Sequence, residues 1–388
     1  MKLTKQHYII FLILLTEVLG FSLILPFLPF MAQEMGASAF VVGLLLTVFS
    51  LFQFISAPIF GSLSDKYGRK PLLIISQLAT LVSFVTLGLA NSIWMLFASR
   101  IIDGLLGSNA TIAKAYLSDI TSQKDKSKVF AVSGTAFAIG IMIGPLLGGT
   151  IAQTSYAIPS FIAAGITFFS IFFTIFALPE TIKPEHSVQA IQIKLLDLNR
   201  VKYFFTNKKV NQQLFEYFAY VFAMAIFTSS HSLFSKIRYN ASTQQIGLMM
   251  TAIGATNFLF RGLLIPKLID RFKERNLERF GLLLMIISLS TMVFINSFIL
   301  LLPVVVLFAI GTGLNYPLMM GDIARSVDKK EQGAILGVAN SLDSFAHIIG
   351  PLVGGILLST PYPNSILLLT ILITAVCLWL VMREKKEY

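Results

Sequence analysis

The chain has 388 residues, 55% of them hydrophobic and 13% charged, with a formal net charge of +11 and a mean hydropathy of +0.78. Soluble domains carry roughly 25% charged residues, so this composition excludes a water-soluble globule and places the chain in a bilayer. The single cysteine, Cys377, excludes an internal disulfide framework and any multi-cysteine metal site.

Stretches of about 20 apolar residues cross a bilayer as helices. Twelve are predicted, at 8–31, 40–62, 72–90, 92–117, 129–151, 157–178, 212–235, 244–266, 279–296, 298–321, 334–358 and 363–382. The first is too long for a signal-peptide core and reads as a span. None shows the alternation of barrel strands, so the fold class is all-α.

The positive charge follows the spans. Of 30 Lys and Arg residues, two (Lys236 and Arg238) lie in loops after odd-numbered runs and three (Arg100, Lys114 and Arg261) lie inside runs, Arg279 marking the edge of one and counted with the loop before it. The rest lie at the termini and after even-numbered runs, which predicts that both termini are cytoplasmic. The charge is thus a topology signal and not a nucleic-acid surface. Residues 181–211 form the longest polar connection, a cytoplasmic linker between two six-helix bundles at 1–180 and 212–388.

The bundles read as a repeat. "GPLLGG" at 144–149 returns as "GPLVGG" at 350–355, 206 positions on, and Asp65 of "SDKYGRKP" is echoed by Asp270 of "IDRFKERN" at an offset of 205. Duplicated bundles with a substrate site near the midplane are a common transporter plan. In the repeats, Gly144, Gly148 and Gly149, like Gly350, Gly354 and Gly355, offer small surfaces for close packing. Pro145 and Pro351 bend their helices.

Several motifs make a family resemblance specific. "GSLSDKYGRKP" at 61–71 resembles the loop motif of the major facilitator superfamily. "RIIDGLLGSNATIAKAYLSDIT" at 100–121 is similar to that family's fourth helix, and "GIMIGPLLGG" at 140–149 to the fifth-helix motif of its antiporters. "TEVLGFSLILPFLP" at 16–29 and "GLNYPLMMGDIARSVDKKEQG" at 313–333 resemble the twelve-helix drug/proton antiporters, tetracycline-efflux proteins in particular. The resemblance implies twelve transmembrane helices in two pseudo-symmetric six-helix bundles. It implies that Asp65 meets the start of helix eleven, that Arg69 pairs with Asp119, and that the glycine runs pack helix five on eight and helix eleven on two. Gly61, Asp65, Gly68, Arg69, Lys70 and Asp119 are then a conformational latch. Read without the resemblance, Gly61 permits close helix approach, Gly68 a tight turn, and the loop charges a solvated positive-inside loop.

Ionisable residues inside spans are functional candidates because their insertion is costly. Glu17 lies midway along the first run, where a carboxyl can take and release a proton. Its alternative is a packing carboxyl. Asn340, Asp343 and His347 form one stripe, in which Asp343 and His347 can share a proton or fix packing. Arg100 is, by resemblance, a coupling arginine, but Asp103, three residues on, can neutralise it. Arg261 either snorkels or joins Asn257 on a polar face. Asn315 and Tyr316, before Pro317, line a cavity where their helix is broken. Lys114 and Asp322 face the interface; Glu216 and His231 are lesser candidates.

No GxxxxGK[ST] loop or helical zinc-protease motif occurs, so neither ATP drive, an enzyme, a cofactor nor a metal is expected. The expectation is a monomeric, proton-coupled exporter of small amphipathic compounds in the plasma or inner membrane, its partners being substrate, protons and lipid. Uptake of a sugar, organic acid or other metabolite is the alternative, and a non-transporting receptor or scaffold a third reading.

Overall fold

A computed structural model describes residues 4–182, 198–260 and 264–383 of the chain. Among the described residues the secondary structure is helical: α1 Lys5–Ile24, α2 Leu28–Glu34, α3 Ala39–Tyr67, α4 Arg69–Gly88, α5 Ile93–Leu106, α6 Asn109–Ile120, α7 Lys126–Ile151, α8 Ala157–Ala177, α9 Leu198–Thr206, α10 Lys208–Tyr239, α11 Thr243–Leu259, α12 Ile265–Arg271, α13 Glu274–Phe294, α14 Phe298–Arg325, α15 Gln332–Leu358 and α16 Ser365–Arg383.

Ten spans are continuous, or nearly so, and long and apolar enough to cross a membrane. The other two predicted spans are not among these ten. The run 92–117 breaks at Gly107 and Ser108 into α5 and α6; of the run 244–266, α11 covers most and α12 the last residues, with 261–263, and so Arg261, outside the described residues. The predicted linker contains a helix, α9, and α10 begins four residues ahead of the predicted span.

The chain divides into two compact units. Unit 1 comprises Met1–Ala37, Val48–Leu195 and Ser242–Thr251; unit 2 comprises Ser38–Thr47, Leu196–Ala241 and Ala252–Tyr388. In unit 1, α1 packs on α7 and α8, and α4 on α5 and α8. A core of Ile10, Ile13, Ile112, Ala113 and Tyr116 fills the space between them. In unit 2, α10 packs on α15 and α16, and α13 on α14 and α16. Each unit thus contains the first turns of one helix whose remainder belongs to the other: those of α11 in unit 1 and those of α3 in unit 2.

Many of the 34 phenylalanines have gone to the outside. Phe168, Phe169, Phe172, Phe173 and Phe176 of α8 are all exposed. Such a patch would drive association in water but is an ordinary surface against lipid.

Candidate functional site

The buried polar chemistry of unit 1 forms one hydrogen-bonded chain. It starts at the break between α5 and α6, where the Gly107 N–H bonds Asp103 O at 2.7 Å and the next helix opens at Asn109. Asn109 Nδ2 donates both to Glu17 Oε2 of α1, at 2.8 Å, and to Thr80 Oγ1 of α4, at 2.9 Å. Thr80 Oγ1 donates onward to Asp103 Oδ1 at 2.9 Å. A Cβ on Gly107 would come within 2.5 Å of that carboxylate oxygen, so the missing side chain makes room for the acid.

Arg100 sits next along α5. Its Nη1 lies 3.9 Å from Asp103 Oδ2, and its Nη2 donates to Ser99 Oγ at 3.0 Å and Ser83 Oγ at 3.3 Å. The guanidinium also lies over the Phe49 ring, 5.7 Å from its centroid. Its Nε is buried without a hydrogen-bond partner. Arg100 and Asp103 are 2% and 5% exposed, whereas Glu17 is only half-buried. The chain therefore runs from a buried ion pair to a residue that is only half-buried.

The loop between α3 and α4 is held at its other end. Gly68 has φ +101°, a conformation that favours glycine, and the Glu180 carboxylate occupies the space its Cβ would need. Glu180 Oε1 and Oε2 accept the backbone N–H groups of Arg69 and Lys70 at 2.9 and 3.0 Å, capping α4 with a negative charge. Arg69 bridges Asp65 and Asp119, the latter through Nε to Oδ2 at 2.9 Å, and donates to Ser64 Oγ at 2.6 Å. Lys70 Nζ bonds Ile175 O, near the end of α8, at 2.7 Å. Gly61 is a correction: a Cβ there would meet only Thr111, at an ordinary 3.9 Å, so no close helix approach depends on it.

Both glycine runs are close-packing surfaces. In unit 1, Gly144 and Gly148 lie against Ser22 and Leu23 of α1, while Gly149 lies against Thr243 and Gly247 of α11. In unit 2, Gly350 and Gly354 lie against Ala225, Ile226 and Ser230 of α10, while Gly355 lies against Ala39 and Gly43 of α3. Most of these approaches are to backbone atoms, which cannot move aside as a flexible side chain can.

The remaining candidates of unit 2 are less gathered. His347 Nδ1 lies 3.0 Å from its own turn's Asp343 O and 3.7 Å from Asp343 Oδ2, so the imidazole meets backbone rather than carboxylate. Asn340 and His347 are exposed and Asp343 half-buried. Tyr316 stands beside Tyr217, ring centroids 6.2 Å apart, and the Asn257 amide oxygen faces Gly313. Asn315 departs from expectation. It is fully buried, its Nδ2 bonding Gly311 O at 2.8 Å and wedged against Gly281 of α13, because α13 packs on the face that sequence assigned to a cavity. Asp322 departs as well: it is 6% exposed rather than at an interface.

The sequence profile described as Major Facilitator Superfamily matches residues 10–346 and 217–388. The chain belongs to this superfamily. It is 29% identical to the class H tetracycline resistance protein of Pasteurella multocida over 90% of this chain and 88% of that one. It is 27% identical to multidrug resistance protein 2 of Bacillus subtilis (strain 168), over 100% of this chain and 98% of that one. Among solved structures, it resembles the nucleoside transporter NupG (TM-score 0.81, 13% identity, 97% of this chain and 99% of that one). It also resembles the human organic anion transporter MFSD10 (TM-score 0.70, 22% identity, the same coverage). The chain is thus a multi-pass membrane transporter and not an enzyme.

This facilitator's site contains residues that the sequence reading passed over. Asn109 joins Glu17 to Thr80, and through it to Asp103, yet it looks like one more polar residue in "GSNA"; the Gly-Ser ahead of it, inside an apolar run, was the available signal. Glu180 sits in "LPET", at the edge of the predicted linker, and nothing local distinguishes it from a solvated acid.

Proposed function

We propose that this facilitator exports small amphipathic, drug-like compounds in exchange for protons, by alternating access, with both termini on the cytoplasmic side of a plasma or inner membrane. The observation that carries the reading is the chain Glu17–Asn109–Thr80–Asp103–Arg100. A half-buried carboxyl at its open end can exchange a proton, and the hydrogen bonds relay the change in its charge to a buried ion pair. The similarity to tetracycline and multidrug resistance proteins supports export of drugs.

In this reading Glu17 takes the proton, while Arg100 and Asp103 respond to it. The cluster of Asp65, Arg69, Lys70 and Asp119, with Gly68 as its turn, is the latch that each cycle breaks and remakes. Such partly exposed ion pairs are individually weak, near 0–1 kcal/mol, which suits a contact that must open repeatedly. Asn257, Tyr316, Asn340, Asp343 and His347 supply polar contacts to substrate. Binding of proton and substrate is reciprocal: a proton on Glu17 weakens the outgoing compound's hold.

The test is efflux of tetracycline and of a cationic dye from proteoliposomes under an imposed pH gradient. Glu17→Gln keeps the hydrogen-bonding shape but cannot ionise, and is expected to abolish gradient-driven efflux while leaving the protein folded. Wild-type efflux from that variant overturns the proton assignment.

A further inference from the structure

In unit 2 the start of α10 lies beside the end of α16, where Gln212 Nε2 donates to Leu380 O at 3.1 Å. Between the two helices runs a groove of about 540 Å³. Its apolar wall is Phe215, Phe218 and Phe222 of α10 with Ile373 and Val376 of α16, and its polar end is Asn211, Gln212 and Arg383. The helix between Asn211 and Phe222 rises about 16 Å, close to the depth of one leaflet's hydrocarbon, about 15 Å.

The apolar wall is ordered by its own contacts. Phe218 and Phe222 stack with ring centroids 5.6 Å apart, and Phe205 of α9 meets Phe215 edge-on at 5.5 Å. Phe215 and Val376 remain 49% and 46% exposed, a surface that hydrocarbon chains cover in a bilayer.

The polar end carries a positive charge that no acid answers. Arg383 is exposed, its guanidinium lies 4.2 Å from the centroid of the Trp379 ring, and among the described residues no carboxylate pairs with it. Glu216, the acid of α10, is taken by the fork of Arg275. Asn211 Nδ2 donates to Phe205 O at 2.9 Å, while its Oδ1 is buried without a hydrogen-bond partner.

A ligand that fits brings an anion for Arg383, a hydroxyl donor for Asn211 and a hydrocarbon chain for the phenylalanines. Free phosphate lacks the chain and a fatty acid lacks the hydroxyl. A choline or ethanolamine head sets a second cation beside Arg383. We infer that the groove binds an anionic glycerophospholipid with a hydroxylated headgroup, its phosphate on Arg383 and one acyl chain along α10.

Trp379 reports on this site, because the Arg383 guanidinium covers its ring and the chain has one other tryptophan, Trp94, which Trp94→Phe removes. In that background the full chain is reconstituted in mixtures of phosphatidylglycerol and phosphatidylcholine, with bromine on one lipid and then on the other. Quenching of Trp379 gives the relative affinity. A preference of about fivefold for phosphatidylglycerol is expected, the attraction of one arginine for an anionic headgroup; equal affinity overturns the proposal. Arg383→Gln is expected to remove the preference, and a preference that survives it overturns the proposal too. Ala219→Phe fills the groove while leaving Arg383 in place, and is also expected to remove the preference. If it does not, the arginine attracts anionic lipid without the groove and the site is refuted. A preference seen only after residues 384–388 are deleted gives the groove to the chain's own end, and likewise overturns the lipid. The readout needs no transport, so it fails separately from the export reading.

Discussion

The two units use one packing device and two different polar cores. In unit 1 the string "GPLLGG" of α7 lies between α1 and the start of α11; in unit 2 "GPLVGG" of α15 lies between α10 and the start of α3. Even the bonds ahead of the two prolines correspond. Thr251 Oγ1 donates to Met142 O at 2.8 Å, and Thr47 Oγ1 donates to Ile348 O at 2.9 Å, each three residues before the proline. The polar cores share no such pattern. Unit 1 strings single hydrogen bonds through Asn109 and Thr80 and leaves Arg100 with a 3.9 Å ion pair. Unit 2 fastens Arg275 in a fork on Glu216. The two units share backbone-to-backbone contacts, where any added atom collides, and differ in the charged side chains between helices.

The largest expected effect separates the cores. Arg275→Leu leaves Glu216 buried without its forked partner, and losing one member of a buried pair costs about 3–5 kcal/mol. Arg100→Leu frees an Asp103 that keeps its Thr80 bond, so its loss is smaller. Denaturation midpoints of the two variants in mixed micelles check this, and an equal loss would remove the distinction drawn between forked and strung cores.

A middle-sized effect tests the shared seam. Gly149→Leu and Gly355→Leu each push a side chain into the backbone of a neighbouring helix, at Thr243 and at Ala39. Overpacking of this kind costs about 1–3 kcal/mol. Both are expected to lower the thermal unfolding temperature by similar amounts. Tolerance of one and not the other would show that the seams are not equivalent.

The smallest effect is the sharpest check on symmetry. Thr251→Val and Thr47→Val each delete one neutral hydrogen bond at nearly constant volume, worth about 0.5–1.5 kcal/mol. The expected outcome is two matching small shifts in the same unfolding assay.

Apolar length made the spans legible, because a bilayer judges each segment on its own. The repeat was legible because glycine and proline act through the backbone, and their effect does not depend on which side chains surround them. Glu17, Arg100 and Asp103 stood out as charges in apolar runs.

What sequence could not decide was which polar residues near helix ends are buried, and by what. Asp322 lies close to the end of its helix and looks like an interface residue, yet α13 packing on α14 buries it. Asn315 looks like a cavity wall until Gly281 of α13 closes over it. Asn109 becomes a link only once α1 and α4 are brought to either side of it. Helix length and charge bias are properties of one segment, fixed by local sequence. A hydrogen-bonded chain is a property of three or four segments at once, and only their packing creates it.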